Sequence, residues 1–160
     1  MAMFTPRQIS REISGNITEI MLQTFADRVL VLVTQIGKVG NLIQASIPPT
    51  IPLSPAPASD PSRPNHRPLP PPPPAIQLTS LLGTAASQHM QTLHSLYAAQ
   101  IATIVWTEKS QGGLEALRRS VVVGLALKKS DGNEDTGVTQ GEKTLFESVM
   151  EMLQDLLAQE

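Results

Sequence analysis

Few residues of this sequence have types and spacing that could do chemistry, and the first are Gly37-Lys38-Val39-Gly40. A phosphate-binding P-loop has four residues between its glycines, then Lys and Ser or Thr, and it opens a helix. Here two residues separate the glycines, Val39 follows the lysine, and strand-like sequence comes next. The Gly-x-x-Gly spacing also matches the backbone-clamping loop of KH domains, but that loop joins two helices. The pattern favours a hairpin in which Gly37 and Gly40 supply positive φ, with a nucleic-acid or phosphate binder as an alternative.

The remaining reactive side chains form no catalytic or metal-binding set. The chain has no cysteine, and its histidines are His66, His89 and His94. His89 and His94 are five positions apart, so on a helix they point to different faces, unlike the i, i+4 pair of a zinc site. No serine lies in a Gly-x-Ser-x-Gly turn. We therefore expect a protein that is not an enzyme, with no cofactor and no metal, whose histidines and acidic residues are solvated.

Charge and composition exclude further classes of partner. The chain has 160 residues, with 12 Lys and Arg against 14 Asp and Glu, which gives no basic face for a nucleic-acid backbone. Aromatic residues make up 3%, too few for base-stacking platforms. No run of about 18 apolar residues predicts a membrane span, and the N-terminus lacks the apolar stretch of a signal peptide. We expect a cytoplasmic protein, with the nucleus as a second location, that binds neither nucleic acid nor membrane.

A proline-rich segment interrupts the chain. Thirteen of the 14 prolines lie between Pro48 and Pro74. Because proline lacks an N–H donor and fixes φ, we expect a disordered loop, in part polyproline II, over residues 48–74. Within it, "RPLPPPP" (Arg67–Pro73) fits the Arg-x-x-Pro-x-x-Pro pattern that SH3 domains bind. A proline-rich adaptor that serves as an SH3 or WW ligand is therefore an alternative function.

Hydrophobic patterns predict strands before this loop and a mixture of elements after it. The turn Ser14-Gly15-Asn16 separates two predicted strands, Val29–Gln35 is the most apolar strand, and "LIQASI" alternates cleanly. After the loop, Ala75–Leu82 is predicted as a strand, followed by a helix over "SQHMQTLHSLYAAQ" and a strand over Ile101–Thr107.

A second helix is predicted from Ser110, its expected N-cap, to Lys129. Its apolar face would contain Leu114, Leu117, Val121 and Leu125, although the Val121–Val123 run is also compatible with a strand.

The C-terminal part is predicted as a flexible linker, 130–143, followed by an amphipathic helix, 144–160. Thr144 and Glu147 match a capping box. The apolar stripe of this helix has three alternatives: it folds back on the sheet, stays loosely attached, or binds a partner.

These elements predict a single α+β domain over residues 1–129, with a mostly antiparallel sheet or sandwich of about six strands and two helices. The proline loop is an insertion and the C-terminal helix an addition. The Val29–Val33 strand is apolar on both faces, and such a strand needs cover on both. We expect Leu30 and Leu32 to divide between the protein's own core and an outer layer, so Leu30, Leu32 and Ile43 are candidates for a sheet or dimer core.

Two stretches of the sequence resemble the proteasome assembly chaperone 3 family. "RVLVLVTQIGKVGNLI" (Arg28–Ile43) resembles its signature of an apolar strand, a Val-Thr-Gln exit and Gly-Lys-x-Gly. "EKSQGGLEALRRSV" (Glu108–Val121) resembles the family's charged turn and Gly-Leu-x-Ala-Leu-Arg helix. The resemblance implies an antiparallel sheet with two helices, a heterodimer with a similarly folded proteasome assembly chaperone 4-like subunit, and a role in assembling proteasome α subunits into their ring.

The resemblance also implies a place for the contact with α subunits. In the family, the loop after the second strand of the hairpin takes part in that contact, and here this position is the loop 48–74, which is longer and richer in proline. The candidate partner-binding residues are therefore those of the loop that carry a charge or an imidazole: Asp60, Arg63, His66 and Arg67. The sequence after Lys129 has no counterpart in the family.

Overall fold

A six-stranded sheet with two helices forms the body of the protein, in a computed structural model that describes residues 6–53, 57–58, 61–62, 68–85, 87–110, 119–128 and 139–159. The elements are β1 (Arg7–Ile13), β2 (Asn16–Thr24), β3 (Arg28–Thr34), β4 (Asn41–Ser46), β5 (Gln77–Leu82), α1 (Gln88–Ser110), β6 (Ser120–Ala126) and α2 (Gln140–Ala158). The strand order is β1-β2-β3-β6-β4-β5. Among the described strands, only β3 and β6 pair in parallel, so the predicted α+β class with a mostly antiparallel sheet is confirmed.

The predicted hairpin at Gly37–Gly40 is wrong, because β6 lies between the two strands that it was expected to join. Val123 of β6 pairs in parallel with Val31 of β3 and antiparallel with Ile43 of β4. The Gly37–Gly40 segment is therefore a crossover connection. Its glycines do have the expected positive φ, +70° and +69°. β6 comes from a distant part of the chain, so its pairing with β3 and β4 cannot be predicted from the local turn pattern.

The second predicted helix is also wrong in its C-terminal half. Val121 and Leu125 lie in β6, in which every residue from Val121 to Ala126 is buried. A central strand is covered on both faces, so it carries a continuous apolar run rather than an alternating one. Ser110 is the last residue of α1 rather than an N-cap, and Leu114 and Leu117 lie outside the described residues.

The strand predicted at Ile101–Thr107 is instead part of α1, which is continuous over 23 residues. Its β-branched residues favoured a strand on propensity alone. However, all residues from Ile101 to Trp106 are buried, and Ile101, Ile104 and Val105 belong to one hydrophobic core with residues of the sheet and of α2. Tertiary packing therefore overrides the local preference.

Both helices cover the same face of the sheet. The core beneath them contains alternate residues of the central strands, such as Val31 and Val123, together with Tyr97, Ile101 and Leu153 of the helices. α1 lies over β6, β4 and β5, whereas α2 lies over β1 and β2. None of the helices in the described part of the chain is long and apolar enough to cross a membrane.

The described ends of the proline-rich loop pack on this core. Ile51, Leu53 and Leu69 are half-buried against it. Pro70 is buried, and its carbonyl accepts a hydrogen bond of 2.9 Å from the side-chain amide of Gln100.

Helix α2 folds back on the sheet, the first of the three alternatives for its apolar stripe. Val149, Met152, Leu153 and other stripe residues are buried, and Arg11 of β1 bonds to Asp155 on its acidic side. The predicted start at Thr144 is wrong: the N-cap is Thr139, which forms a capping box with Glu142.

Alanine substitution of Thr139 and Thr144 tests which of these two threonines caps α2. We expect Thr139→Ala to lower the free energy of unfolding by about 1 kcal/mol, because Thr139 Oγ1 accepts from the Glu142 N–H. Thr144→Ala is the matched control. Its side chain is exposed inside the helix, where alanine is the best helix former, so no loss is expected. Denaturant unfolding measures both, and an equal or larger loss in Thr144→Ala would contradict this assignment.

Candidate functional site

The sheet face opposite the helices, called the outer face here, carries an apolar patch. Strand alternation and register place five neighbouring apolar side chains on it, which we call the outer patch: Met21, Leu30, Leu32, Leu42 and Val122. Val122 is buried and the other four are half-buried. In the described part of the chain, both helices pack on the opposite face, and no outer-patch residue belongs to the core beneath them.

Exposed apolar residues extend the outer patch toward its edges. Ile17 and Leu82 lie on the outer face of β2 and β5 by register with Glu12 and Leu42, and their side chains are 63% and 60% exposed. Ile36 and Val39 of the crossover connection are also exposed. A contiguous apolar surface of this kind marks a protein interaction site more often than a solvated face.

Gly124 lets neighbouring side chains pack closely at the centre of the outer patch. A Cβ at this position would overlap Cδ2 of Leu32 and lie 3.1 Å from Cδ2 of Leu42. It would also lie 3.0 Å from the carbonyl oxygen of Val39. The glycine therefore lets two leucines from β3 and β4 meet over the central strand, with the crossover connection beside them.

Thr34 and Gln35, the Thr-Gln of the Val-Thr-Gln sequence at the end of β3, hold the crossover connection in place through hydrogen bonds. Thr34 Oγ1 accepts hydrogen bonds of 3.2 Å from the backbone N–H groups of Ile36 and Lys38. The Gln35 side chain donates to Thr18 of β2 and accepts from the N–H of Lys128, just beyond β6. These polar residues join three strands at one end of the sheet, so their role is structural.

The same contacts argue against a phosphate site at Gly37–Gly40. Two N–H groups that could cradle an anion are already donated to Thr34. No helix follows the connection, since β4 begins at Asn41. Gly37 and Gly40 thus serve the crossover, and Lys38 is exposed beside them.

The expectation that Leu30 and Leu32 face opposite sides of the sheet is wrong. Residues two apart in a strand point to the same face, and both leucines lie on the outer face. Val29, Val31 and Val33 are the residues that fill the core. The alternation rule, applied to this strand alone, would have found the outer patch residues of β3.

Ile43, the third candidate for a dimer core, lies on the opposite face. It pairs with Val123 and packs partly buried against the protein's own core. The candidate loop residues Asp60, Arg63, His66 and Arg67 lie outside the described residues.

His89 and His94 differ from the solvated state that the sequence suggested, whereas His66 lies outside the described residues. His89 Nε2 is 2.8 Å from a carboxylate oxygen of Glu142, which is buried at the start of α2. Burial raises the pKa of Glu142, but hydrogen bonds from Thr139 and His89 outweigh it and hold that pKa below its usual value. His94 is buried, and burial lowers its pKa. The His89–Glu142 pair links the two helices, and the described residues contain no group of three potential metal ligands.

Comparisons with known proteins give a likeness of fold. No family model matches the chain, and no curated protein matches it. A solved structure described as the crystal structure of a novel chaperone complex for yeast 20S proteasome assembly matches with a TM-score of 0.53 and 11% sequence identity. The match covers 96% of this chain and 98% of that chain. The protein therefore shares its fold, over nearly its whole length, with a chain of a yeast 20S proteasome assembly chaperone complex.

Proposed function

We propose that this protein is a non-catalytic assembly chaperone for the proteasome core particle and promotes formation of the α ring. The observation that carries the proposal is the likeness of fold to a chain of a 20S proteasome assembly chaperone complex, which covers 96% of this chain. The resemblance of Arg28–Ile43 and Glu108–Val121 to the proteasome assembly chaperone 3 family supports the same function independently.

The outer patch supports a heterodimer with a similarly folded subunit of the proteasome assembly chaperone 4 type. A sheet with helices on one face and apolar side chains on the other is half of a layered structure. A second sheet packed face to face would bury the outer patch at the usual spacing of about 10 Å. Gln8, Ser10 and Glu12 line the β1 side of this face and are exposed, which suits the polar rim of an interface.

The proteasome α subunits are the second class of partner. The loop that contains Asp60, Arg63, His66 and Arg67 is the proposed contact, since its described ends are attached to the core at Ile51 and Pro70. A proline-rich segment is already restricted in φ, so less conformational entropy is lost when it binds. The proposed location is the cytoplasm, with the nucleus as a second site.

Co-purification tests this function. A tagged full-length chain is isolated from cells in which proteasome maturation is blocked, and the bound proteins are identified by mass spectrometry. We expect proteasome α subunits without mature catalytic particles, together with a small similarly folded partner. Recovery of neither the α subunits nor such a partner would overturn the proposal.

A further inference from the structure

Two carboxylates lie on the outer face beside the outer patch. Glu19 of β2 is two positions from Met21, so strand alternation places both on this face. Its neighbour across the strands is Thr34 of β3. Glu12 of β1 lies opposite Ile17 on the same face. Because β2 lies between β1 and β3, Glu19 is the nearer of the two carboxylates to the centre of the patch, and its side chain is half-buried.

Neither carboxylate is neutralised within the described part of the chain. Glu19 accepts a long hydrogen bond, 3.4 Å from Nε2 of Gln8, and neither it nor Glu12 forms an ion pair with a described residue. The other charge on the outer face of the described strands is Arg28, whose Nη2 lies 3.0 Å from a carboxylate oxygen of its neighbour Asp27. The uncompensated charge of this face is therefore negative and lies on its β1–β2 side.

A sheet that covers the outer patch would also remove water from Glu19. Residues two apart on a strand are separated by about 7 Å, so a partner layer that reaches Met21 extends over Glu19 as well. A carboxylate taken out of water is strongly unfavourable unless a cation and good hydrogen bonds compensate it. The single 3.4 Å contact with the neutral amide of Gln8 is too long to do so. The counter-charge must therefore come from the partner.

A second copy of this chain is a poor source of that counter-charge. Arg28 is the one basic residue on the outer face of its described strands, and Asp27 already binds its guanidinium. Carboxylates brought together across an interface would oppose pairing of two copies. Lys38 is exposed on the crossover connection, beyond the strands, so self-association through this lysine is a separate outcome of the test. A different chain with a basic residue opposite Glu19 fits the face better.

We propose that Glu19 determines which subunit pairs with this protein: the sheet that packs on the outer patch carries an arginine or lysine whose cationic group pairs with the Glu19 carboxylate. The partner's identity rests on the proposed function, in which this face is the heterodimer interface. Arginine suits the position best, because its planar guanidinium donates two parallel hydrogen bonds to one carboxylate. Glu12, farther out on β1, adds to the attraction at the rim. The apolar patch binds and the carboxylate discriminates between apolar sheets.

Calorimetric titration of the full-length chain with the recombinant chaperone 4-type subunit tests this pairing. Glu19→Gln keeps the size of the side chain and removes its charge, and it should raise Kd about tenfold; Glu19→Lys should raise Kd about 100-fold or more. Wild-type affinity should fall as NaCl rises from about 0.05 to about 0.5 M, and Glu19→Gln should reduce this dependence. Glu147→Gln is the matched control, because Glu147 is half-buried on α2, in the helix layer on the opposite face; its Kd should equal that of the wild type.

The outcomes separate the role of Glu19 from the proposed function. Equal pairing by the wild type and both Glu19 variants overturns the role of Glu19 and leaves the heterodimer in place. Absence of pairing by the wild type overturns the heterodimer together with it, whereas binding of α subunits is measured separately by co-purification. Sedimentation of the chain alone tests the second copy: self-association that Lys38→Glu abolishes would assign Glu19 to a homodimer and overturn the proposal. Thermal melting checks folding, and Glu19→Gln decides alone if Glu19→Lys is destabilised.

Discussion

Leu32→Asp is expected to abolish pairing with the partner subunit while the isolated chain stays folded. Leu32 is half-buried on the outer face, and its Cδ2 lies over Gly124 at the centre of the outer patch. In the isolated chain an aspartate at this position can still reach water. In the heterodimer it would be covered by the second sheet, where an unpaired carboxylate is strongly unfavourable. We expect a loss of at least about 2 kcal/mol of binding free energy, or about 30-fold in Kd.

Two variants separate pairing from folding. Leu96→Asp is the matched control, because Leu96 is 48% exposed on α1 and lies away from the sheet face; it should pair as the wild type does. Val31→Asp places the same charge one position away in the core, where Val31 is fully buried, and should unfold the chain. Calorimetric titration with the purified partner and thermal melting measure the two effects. Normal pairing by folded Leu32→Asp would exclude the outer patch as the interface.

The sequence predicted those features of the fold that depend on local pattern. The strand at β3, the alternation of β4, the turn before β2 and the α+β class follow from apolar periodicity and turn residues. The outer patch was predicted in part. A strand that is apolar on both faces needs a layer packed on each face, and the helices supply only one such layer. That Leu30 and Leu32 both belong to the outer patch follows from the two-residue period of a strand, which places residues two apart on the same face.

Features that depend on distant contacts could not be predicted. The position of β6 between β3 and β4 is set by a pairing of segments about 90 residues apart in sequence, such as Val31 with Val123. The helical state of Ile101–Trp106 depends on burial from several sides, which reverses the preference of β-branched residues. In both segments the conformation is decided by contacts with residues that are distant in sequence.

The N-cap of α2 shows how burial selects between equivalent local signals. Thr139-x-x-Glu142 and Thr144-x-x-Glu147 both satisfy the capping-box pattern. Glu142 is buried and contacts His89 on α1, whereas Thr144 is exposed. The contact with α1 stabilises the earlier start, and that contact is absent from any local window of sequence.

Gly40→Ala should destabilise the protein far more than Gly37→Ala, although both glycines have nearly the same positive φ. The left-handed conformation alone costs alanine about 1–2 kcal/mol, which is the whole effect expected at Gly37, since a Cβ there meets nothing within 4 Å. At Gly40 a Cβ would overlap the carbonyl oxygen of Leu125 and lie 2.8 Å from Cβ of Ala126. Both contacts belong to β6, so the connection must move away from the central strand.

We expect overpacking to add about 1–3 kcal/mol at Gly40, a total of about 2–5 kcal/mol. Because domains of this size are stable by only about 5–15 kcal/mol, this loss is a large fraction of the total. Denaturant unfolding of the two variants measures the difference, with Gly37→Ala as the control for conformation alone. A hairpin would place both glycines in open turns and give equal losses. A larger loss of unfolding free energy for Gly40→Ala than for Gly37→Ala would therefore support the position of β6 beneath Gly40. Equal losses would contradict the crossover.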